Sequence, residues 1–239
     1  MKLEVFPDAN AAAREAARVI ATEAHAAVAA RGRFLVAVSG GRTPWVMLRA
    51  LADEAVPWAS VHVFQVDERI APEGHPDRNL THIRESLLSR APLPPQNLHA
   101  MPVASADLEA ATGDYATTLQ SLGGSPPVLD LVHLGLGADG HTASLVPNGP
   151  VLNVTDRDVA LTGVYMGRQR MTLTFPVLDR ARKILWLVTG AEKAPLLKRL
   201  LAHDAKIPAG RVRPENALVL ADRDAAGTGQ TGKGEAETR

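Results

Sequence analysis

Short apolar runs alternate with longer, helix-favouring segments along most of the chain. The runs at 33–38, 129–134 and 184–189 are apolar at most positions, which is typical of strands buried on both faces of a parallel sheet. The Ala-rich segment at 9–30 favours a helix, and Gly32 is expected to end it. The alternation therefore predicts an α/β fold, with helices on both faces of a mostly parallel sheet.

The remaining elements lie between clusters of turn residues. Strands are expected at 33–38, 61–66, 129–134, 159–164, 171–174, 184–189 and 217–220. Helices are expected at 9–30, 43–52, 79–88, 107–122 and 191–201. A polar loop is expected at 67–78. No internal linker requires a second domain, so 1–224 is predicted as one domain and the Gly/Thr/Glu/Lys-rich segment 225–239 as a disordered tail.

Composition and charge exclude several classes of protein. Among the 239 residues, 26 Lys and Arg balance 26 Asp and Glu. A net charge of zero argues against broad binding to nucleic acid or to an acidic membrane. The absence of cysteine excludes disulfides, thiol catalysis and thiolate metal sites. Neither a signal peptide nor a membrane-spanning apolar run is recognisable, so we expect a cytoplasmic protein.

Three predicted strands end in residues suited to ligand binding, which in open α/β sheets occurs at the carboxyl edge. The first strand leads into a Gly-rich turn and a helix, with Thr43 expected as N-cap and Pro44 as the first helical residue. Free N–H groups at such a helix start favour a bound phosphate, although the Walker A pattern is absent. An ordinary tight turn is the alternative. The candidate phosphate-binding residues here are Ser39, Gly40, Gly41, Arg42 and Thr43.

The second strand end carries Asp67, Glu68 and Arg69, with Asn79 beyond the loop. Neighbouring residues on an extended chain point to opposite sides. Asp67 and Arg69 are therefore expected to share a face, while Glu68 turns away. A charged, solvated loop is the alternative.

The third strand end carries Gly135, Gly137 and Gly140, which match GxGxxG. A dinucleotide site would require a full helix opening at the third glycine. Pro147 follows within two helical turns, so this context argues against a dinucleotide. The alternative is a Gly-rich loop that presents catalytic side chains.

That loop contains Asp139 and His141, and an imidazole beside a carboxylate suits a general base near neutral pH. Arg170 and Lys193 fall near the ends of later strands, where each would add positive charge to a phosphate pocket. A structural histidine and two surface cations are the alternatives. The other histidines show no metal-ligand spacing, so we predict no catalytic metal.

Taken in order, five motifs resemble those of the 6-phosphogluconolactonase family. They are SGGRTP (39–44), DER (67–69) with Asn79, GLGADGHTASL (135–145), RQRMTLT (168–174) and TGAEKA (189–194). The wider superfamily includes glucosamine-6-phosphate deaminases, which have Tyr in place of Arg69 and Glu in place of Val146. The lactonase branch is therefore the better match. The chain departs from the lactonase pattern at Val146, where the family often has Phe, at Arg78, where it has Ser, and at 165–167.

The resemblance implies a Rossmann-like α/β fold and hydrolysis of 6-phospho-D-glucono-1,5-lactone without a cofactor. The candidate catalytic residues are His141 as general base, with Asp139, Asp67 and Arg69. The phosphate would bind the Gly-rich turn, with Asn79, Arg170 and Lys193 nearby. The expected partner is the small-molecule lactone alone, bound by a monomer or small homo-oligomer. A sugar-phosphate deaminase or isomerase, a non-catalytic sugar-phosphate-binding domain and an NAD-dependent enzyme are the alternatives.

Overall fold

Two sheets form the framework of the computed structural model, which describes residues 1–228. The strands within this range are β1 (Lys2–Phe6), β2 (Phe34–Val38), β3 (Val61–Gln65), β4 (Asp67–Arg69), β5 (Leu98–His99), β6 (Leu131–Leu134), β7 (Val159–Leu161), β8 (Arg170–Leu173), β9 (Ile184–Val188) and β10 (Ala217–Asp222). Seven of them form a parallel sheet in the order β1-β10-β9-β6-β2-β3-β5. The other three form an antiparallel sheet in the order β4-β8-β7.

Helices cover both faces of the parallel sheet. The α-helices of the described range are α1 (Ala9–Arg31), α2 (Arg42–Ala52), α3 (Asn79–Ile83), α4 (Leu108–Gly123), α5 (Phe175–Arg180) and α6 (Ala194–Leu201). Successive strand residues face opposite sides, so Leu131 packs in one core with α1 and α2, while Val132 packs in another with α4, α6 and the antiparallel sheet. The predicted α/β fold with a mostly parallel, doubly covered sheet is confirmed.

Capping residues set both ends of the longest helix, α1, close to the positions that the sequence predicts. The Asp8 carboxylate accepts a hydrogen bond from the Ala11 N–H at 2.8 Å and caps the start of α1. Gly32 adopts a left-handed φ of 74° and ends the helix, as predicted.

Several predicted boundaries are wrong. Gly41, not Thr43, is the N-cap of α2. The predicted loop at 67–78 begins with β4, which exists only because it pairs with the distant β8. The predictions also missed β1, β5 and α5, and the predicted helix at 191–201 begins as a 3-10 turn before α6.

The predicted tail at 225–239 falls mostly outside the described residues. Its first residues form a turn, in which Ala225 is buried and donates its N–H to Asp222 at 2.8 Å. Within residues 1–228, no helix is long and apolar enough to cross a membrane.

A fully buried histidine lies in the centre of the parallel sheet, next to the first candidate turn. His133 of β6 accepts a hydrogen bond from the Ser39 N–H at its Nδ1, and its carbonyl accepts one from Ser39 Oγ at 3.0 Å. Its Nε2 has no hydrogen-bond partner among the described residues. Burial lowers the pKa of His133 to about 3, so the imidazole is neutral in the folded protein.

This burial predicts an acid-dependent loss of stability. Between the unfolded pKa of about 6.5 and the folded value of about 3, only the unfolded chain carries the extra proton, so the free energy of unfolding falls as pH falls. The contribution is about 2 kcal/mol between pH 6.5 and pH 5. Urea unfolding of the wild type and of His133→Asn at both pH values checks it, because the variant should lose less stability. Equal losses would contradict the prediction.

Candidate active site

A cavity of about 120 Å³ opens at the carboxyl edge of the parallel sheet, where β2, β3 and β6 end side by side. The turn after β2 contributes Ser39 and Gly40, and the loop after β6 contributes His141. The complete lining is Ser39, Gly40, Asp67, Arg69, Asn79, Gly135, Leu136, Gly137, His141, Ala143 and Arg170. The fold therefore gathers the three predicted strand ends around one space.

A larger cleft, of about 490 Å³, adjoins this cavity and shares Gly40, Gly135 and Leu136 with it. Its lining includes Lys193 and the Gly-rich turn through Pro44. From the sequence, Arg170 and Lys193 are both predicted to add charge to one phosphate pocket. The structure instead places Arg170 in the cavity and Lys193 in the cleft.

His141 is held by a carboxylate on its own loop. Its Nδ1 lies 2.5 Å from Asp139 Oδ1, and its backbone N–H donates to the same oxygen at 3.0 Å. With its Nδ1–H donated to Asp139, the His141 ring keeps its Nε2 lone pair available to accept a proton. The imidazole lies directly against Gly137, where a Cβ would come within 2.1 Å of His141 Nδ1. Glycine at this position therefore makes room for the ring.

The carboxylate of Asp139 stays ionised in this setting. Burial alone would raise its pKa, but donors from the His141 backbone, the His141 ring and the Tyr165 hydroxyl together lower the pKa below its ordinary value. An ionised Asp139 stabilises the imidazolium that forms when His141 accepts a proton. The pair has the geometry of a general base and its orienting carboxylate.

Asp67 joins the second and third strand ends. Its Oδ2 accepts a hydrogen bond from Ser144 Oγ at 2.6 Å, and its Oδ1 accepts one from Asn79 Nδ2 at 3.2 Å. The Asn79 amide in turn lies against Gly40, where a Cβ would come within 1.9 Å of Asn79 Oδ1. Because both oxygens of the buried Asp67 carboxylate already have donors, the side chain is better suited to holding the site together than to moving protons.

Two arginines lie side by side on neighbouring strands of the antiparallel sheet. Arg69 of β4 is the direct cross-strand partner of Arg170 of β8. Arg69 donates to Asn79 Oδ1 at 2.7 Å. The Nε atoms of both arginines are buried without a partner among the described residues. Burial, together with the neighbouring Arg69 charge, lowers the pKa of Arg170, although a guanidinium remains protonated at any ordinary pH.

Glu68 turns away from the cavity, as its position between Asp67 and Arg69 predicts. It is fully buried and accepts hydrogen bonds from the N–H groups of Asn79 and Leu80 at 2.8 Å each. Glu68 therefore fixes the start of α3 and, through it, the Asn79 side chain.

The Gly-rich turn presents the start of α2 to the cleft. Gly41 adopts a φ of 130°, which favours glycine, and α2 has no side-chain cap. Thr43 Oγ1 lies 2.7 Å from Thr189 Oγ1, which ties the turn to the end of β9. Uncapped N–H groups and the positive end of the helix dipole suit an anion. Asp222 also lines the cleft, but its carboxylate accepts hydrogen bonds from the Gly190 and Ala225 N–H groups.

Sequence reasoning missed three residues that complete the site. Ser144 bonds Asp67, Thr189 bonds Thr43, and Tyr165 donates to Asp139 at 2.9 Å. Ser144 lies inside a recognised motif, so only its role was missed. Thr189 likewise lies inside a recognised motif, whereas Tyr165 reaches the site from a segment that no local pattern marks.

The family model for glucosamine-6-phosphate isomerases/6-phosphogluconolactonase matches residues 7–221. The chain belongs to this family. The 6-phosphogluconolactonase of Synechocystis sp. is 41% identical over 214 residues, covering 86% of this chain and 89% of the relative. That of Mycobacterium tuberculosis is 36% identical over 238 residues, covering 94% and 96%. The resemblance deduced from the five motifs is thereby confirmed.

Solved structures show the same family architecture. The 6-phosphogluconolactonase of Thermotoga maritima has a TM-score of 0.81 at 29% identity, covering 92% of this chain and 98% of that one. That of Trypanosoma brucei has a TM-score of 0.84 at 27% identity, covering 95% and 97%. A monomeric glucosamine-6-phosphate deaminase has a TM-score of 0.83, but its 19% identity shows the fold alone.

The GxGxxG match does not form a dinucleotide loop in this member of the family. After Gly140 the chain makes turns and a short bridge between Thr142 and Leu145, where a dinucleotide site would need a helix. The third glycine serves packing instead, because a Cβ on Gly140 would come within 2.7 Å of Ile207.

The contact between Gly137 and His141 yields a test of the site geometry. Gly137→Ala should push the His141 imidazole out of place. We expect kcat/KM in a 6-phosphogluconolactonase assay to fall about 100-fold, which is the loss that a misplacement of about 1 Å causes. Gly163→Ala is the matched control, because a Cβ there meets nothing within 4 Å. Steady-state kinetics and circular dichroism of both variants check it. Near-wild-type activity of Gly137→Ala would show that the ring position is unimportant.

Proposed function

We propose that this protein hydrolyses 6-phospho-D-glucono-1,5-lactone to 6-phospho-D-gluconate, a step of the oxidative pentose phosphate pathway. The observation that carries the proposal is the joining of two spaces, one with a carboxylate-oriented imidazole and two arginines, the other with an uncapped helix start and a lysine. Relatives named 6-phosphogluconolactonase, which match across most of the chain, support the same reaction.

The two spaces divide the substrate between them. The 6-phosphate occupies the cleft, where the N–H groups at the start of α2 and the Lys193 ammonium neutralise it. The lactone ring crosses the shared wall at Gly40 and reaches the cavity that contains His141. Anchoring the phosphate thus fixes the ester carbonyl beside the imidazole and removes most of its translational freedom.

The reaction begins with general-base activation of water. His141 Nε2 takes a proton from a water molecule as the water oxygen attacks the lactone carbonyl carbon. The carbonyl oxygen becomes an oxyanion, which the guanidinium groups of Arg69 and Arg170 stabilise.

Ring opening completes the reaction and restores the base. The tetrahedral intermediate collapses, the bond from C1 to the ring oxygen breaks, and the imidazolium returns its proton to that oxygen. The products are a hydroxyl and a carboxylic acid, which ionises. Side chains of this chain handle every proton and charge, so the proposal includes no cofactor.

The proposal extends to the setting of the enzyme. Residues 1–224 act as one catalytic domain, because the cavity and the cleft together draw on strand ends from β2 to β10. A charged sugar phosphate does not cross membranes unaided, so we place the activity in the cytoplasm.

Loss of the base should abolish most of the activity. His141→Asn should lower kcat about 10²- to 10⁴-fold, the contribution of general-base catalysis, and leave the fold intact. His203→Asn is the matched control, since His203 is exposed and Asn tolerates its left-handed backbone. Turnover is measured on freshly generated lactone after subtraction of spontaneous hydrolysis. Normal turnover by His141→Asn would remove His141 from the base role.

Because the phosphate and the lactone ring occupy different spaces, variants of Lys193 and of Arg170 should have different kinetic defects. Lys193→Ala should raise KM for the phosphorylated lactone and leave activity on unphosphorylated gluconolactone nearly unchanged, because it removes only a phosphate contact. Arg170→Ala should lower kcat on both substrates, because it removes charge from the cavity. Parallel kinetics on the two lactones distinguish these effects. Equal loss on both substrates for Lys193→Ala would place the phosphate elsewhere.

The reaction itself is tested by product analysis of the purified full chain. Incubation with the lactone should produce 6-phosphogluconate faster than buffer does, detected with a coupled dehydrogenase. Incubation with glucosamine 6-phosphate should release no ammonia, since Val146 supplies no proton-transferring group at the position that carries Glu in the deaminases. Ammonia release without lactone hydrolysis would overturn the proposal.

A further inference from the structure

A tight turn between β7 and β8 brings one aromatic side chain to the catalytic loop. Tyr165 and Arg168 exchange backbone hydrogen bonds at 2.9 and 3.2 Å, and the residues between them, Met166 and Gly167, have φ values of 50° and 76°. Positive φ at both central positions is the signature of a type I′ turn, which joins antiparallel strands tightly. The turn therefore fixes the direction of the Tyr165 side chain.

Three contacts connect Tyr165 to the candidate catalytic residues. Its hydroxyl donates to Asp139 Oδ2 at 2.9 Å. The edge of its ring meets the His141 imidazole, with centroids 5.5 Å apart. The Arg170 guanidinium carbon lies 5.0 Å from the centroid of the same ring.

We propose that Tyr165 is a positioning residue that holds Asp139 and the His141 ring in the orientation required for general-base catalysis. The inference rests on the proposed lactonase function. Tyr165 lies outside the recognised motifs, in the segment where the chain departs from the lactonase pattern.

The hydrogen bonds of Asp139 show why it needs an external support. Its Oδ1 binds both the ring and the backbone N–H of His141, whereas its Oδ2 binds Tyr165. The Asp139 side chain is 36% exposed, so little packing restrains its rotation. The Tyr165 hydroxyl occupies the second oxygen and thereby keeps the first one directed at the imidazole.

The turn is anchored firmly enough to serve as a support. Arg168 forms an ion pair with Asp77 at 3.0 Å and a second contact with His75 at 3.2 Å, which ties the turn to the segment after β4. Of the turn side chains, Val164 and Met166 are 76% and 80% exposed, whereas Tyr165 is directed inward. If the turn served only to bury apolar surface, Val164 and Met166 would be buried together with Tyr165.

The decisive variant is Tyr165→Phe, which keeps the ring and removes only the hydroxyl. We expect kcat to fall about tenfold, the rate equivalent of one hydrogen bond to a charged acceptor, while KM changes little. The acid limb of the profile of kcat/KM against pH should move to lower pH, because an Asp139 carboxylate that is free to rotate away from the ring stabilises the protonated imidazole less. Val164→Ala, from the same turn, is the matched control and should behave as wild type.

A second measurement does not depend on turnover. Nitrogen-15 chemical shifts of the His141 ring in the full chain report which nitrogen carries the proton, and in Tyr165→Phe they should show a weakened preference for the Nδ1–H form. Unchanged shifts together with unchanged kcat and an unmoved acid limb would overturn the proposal. A loss confined to KM would overturn it as well, since it would assign Tyr165 to substrate contact. If the wild type proved inactive on the lactone, the proposed function would fail, and the ring shifts would still decide whether Tyr165 positions His141.

Discussion

The site depends on the side-by-side parallel alignment of β3, β2, β6 and β9. Parallel neighbours end at the same edge, so turns that are far apart in sequence are brought within side-chain reach. The polar chemistry is then carried by short segments whose ends are fixed by buried apolar strands. His133 strengthens this arrangement, because it links the backbone of β6 to Ser39 at the start of the Gly-rich turn.

The site also requires that two of its side chains pack closely against the main chain of glycine residues. Gly40 and Gly137 are not needed for unusual backbone angles; each lacks a Cβ so that a functional side chain can lie against its main chain. Asn79 and His141 both line the same cavity. Gly40 thus marks a contact with a residue of another motif, Asn79, whereas Gly137 marks a contact within its own loop.

Sequence patterns predicted the elements that local composition determines. They missed the elements and contacts that depend on pairing with a distant segment. The apolar runs that form β2, β6 and β9 are recognisable because burial on both faces leaves few polar positions. By contrast, β4 is a three-residue strand of charged side chains, and only its pairing with β8 makes it a strand. The same pairing places Arg69 opposite Arg170, which no local pattern indicates. Thr43 was mistaken for a helix cap because its actual partner, Thr189, lies at the end of another strand.

The pairing of Arg69 with Arg170 has a consequence for the stability of the folded protein. Like charges on directly opposite residues repel, and the buried Asp67 carboxylate, whose effect on the pKa of Arg170 is larger than that of Arg69, offsets this repulsion. Two guanidinium groups and one carboxylate line the same cavity, so an anion that binds there meets a surplus of positive charge. Any anion that binds this pair of arginines in the folded chain alone raises the free energy of unfolding by mass action, so the groups that recognise a ligand also link its concentration to the stability of the fold.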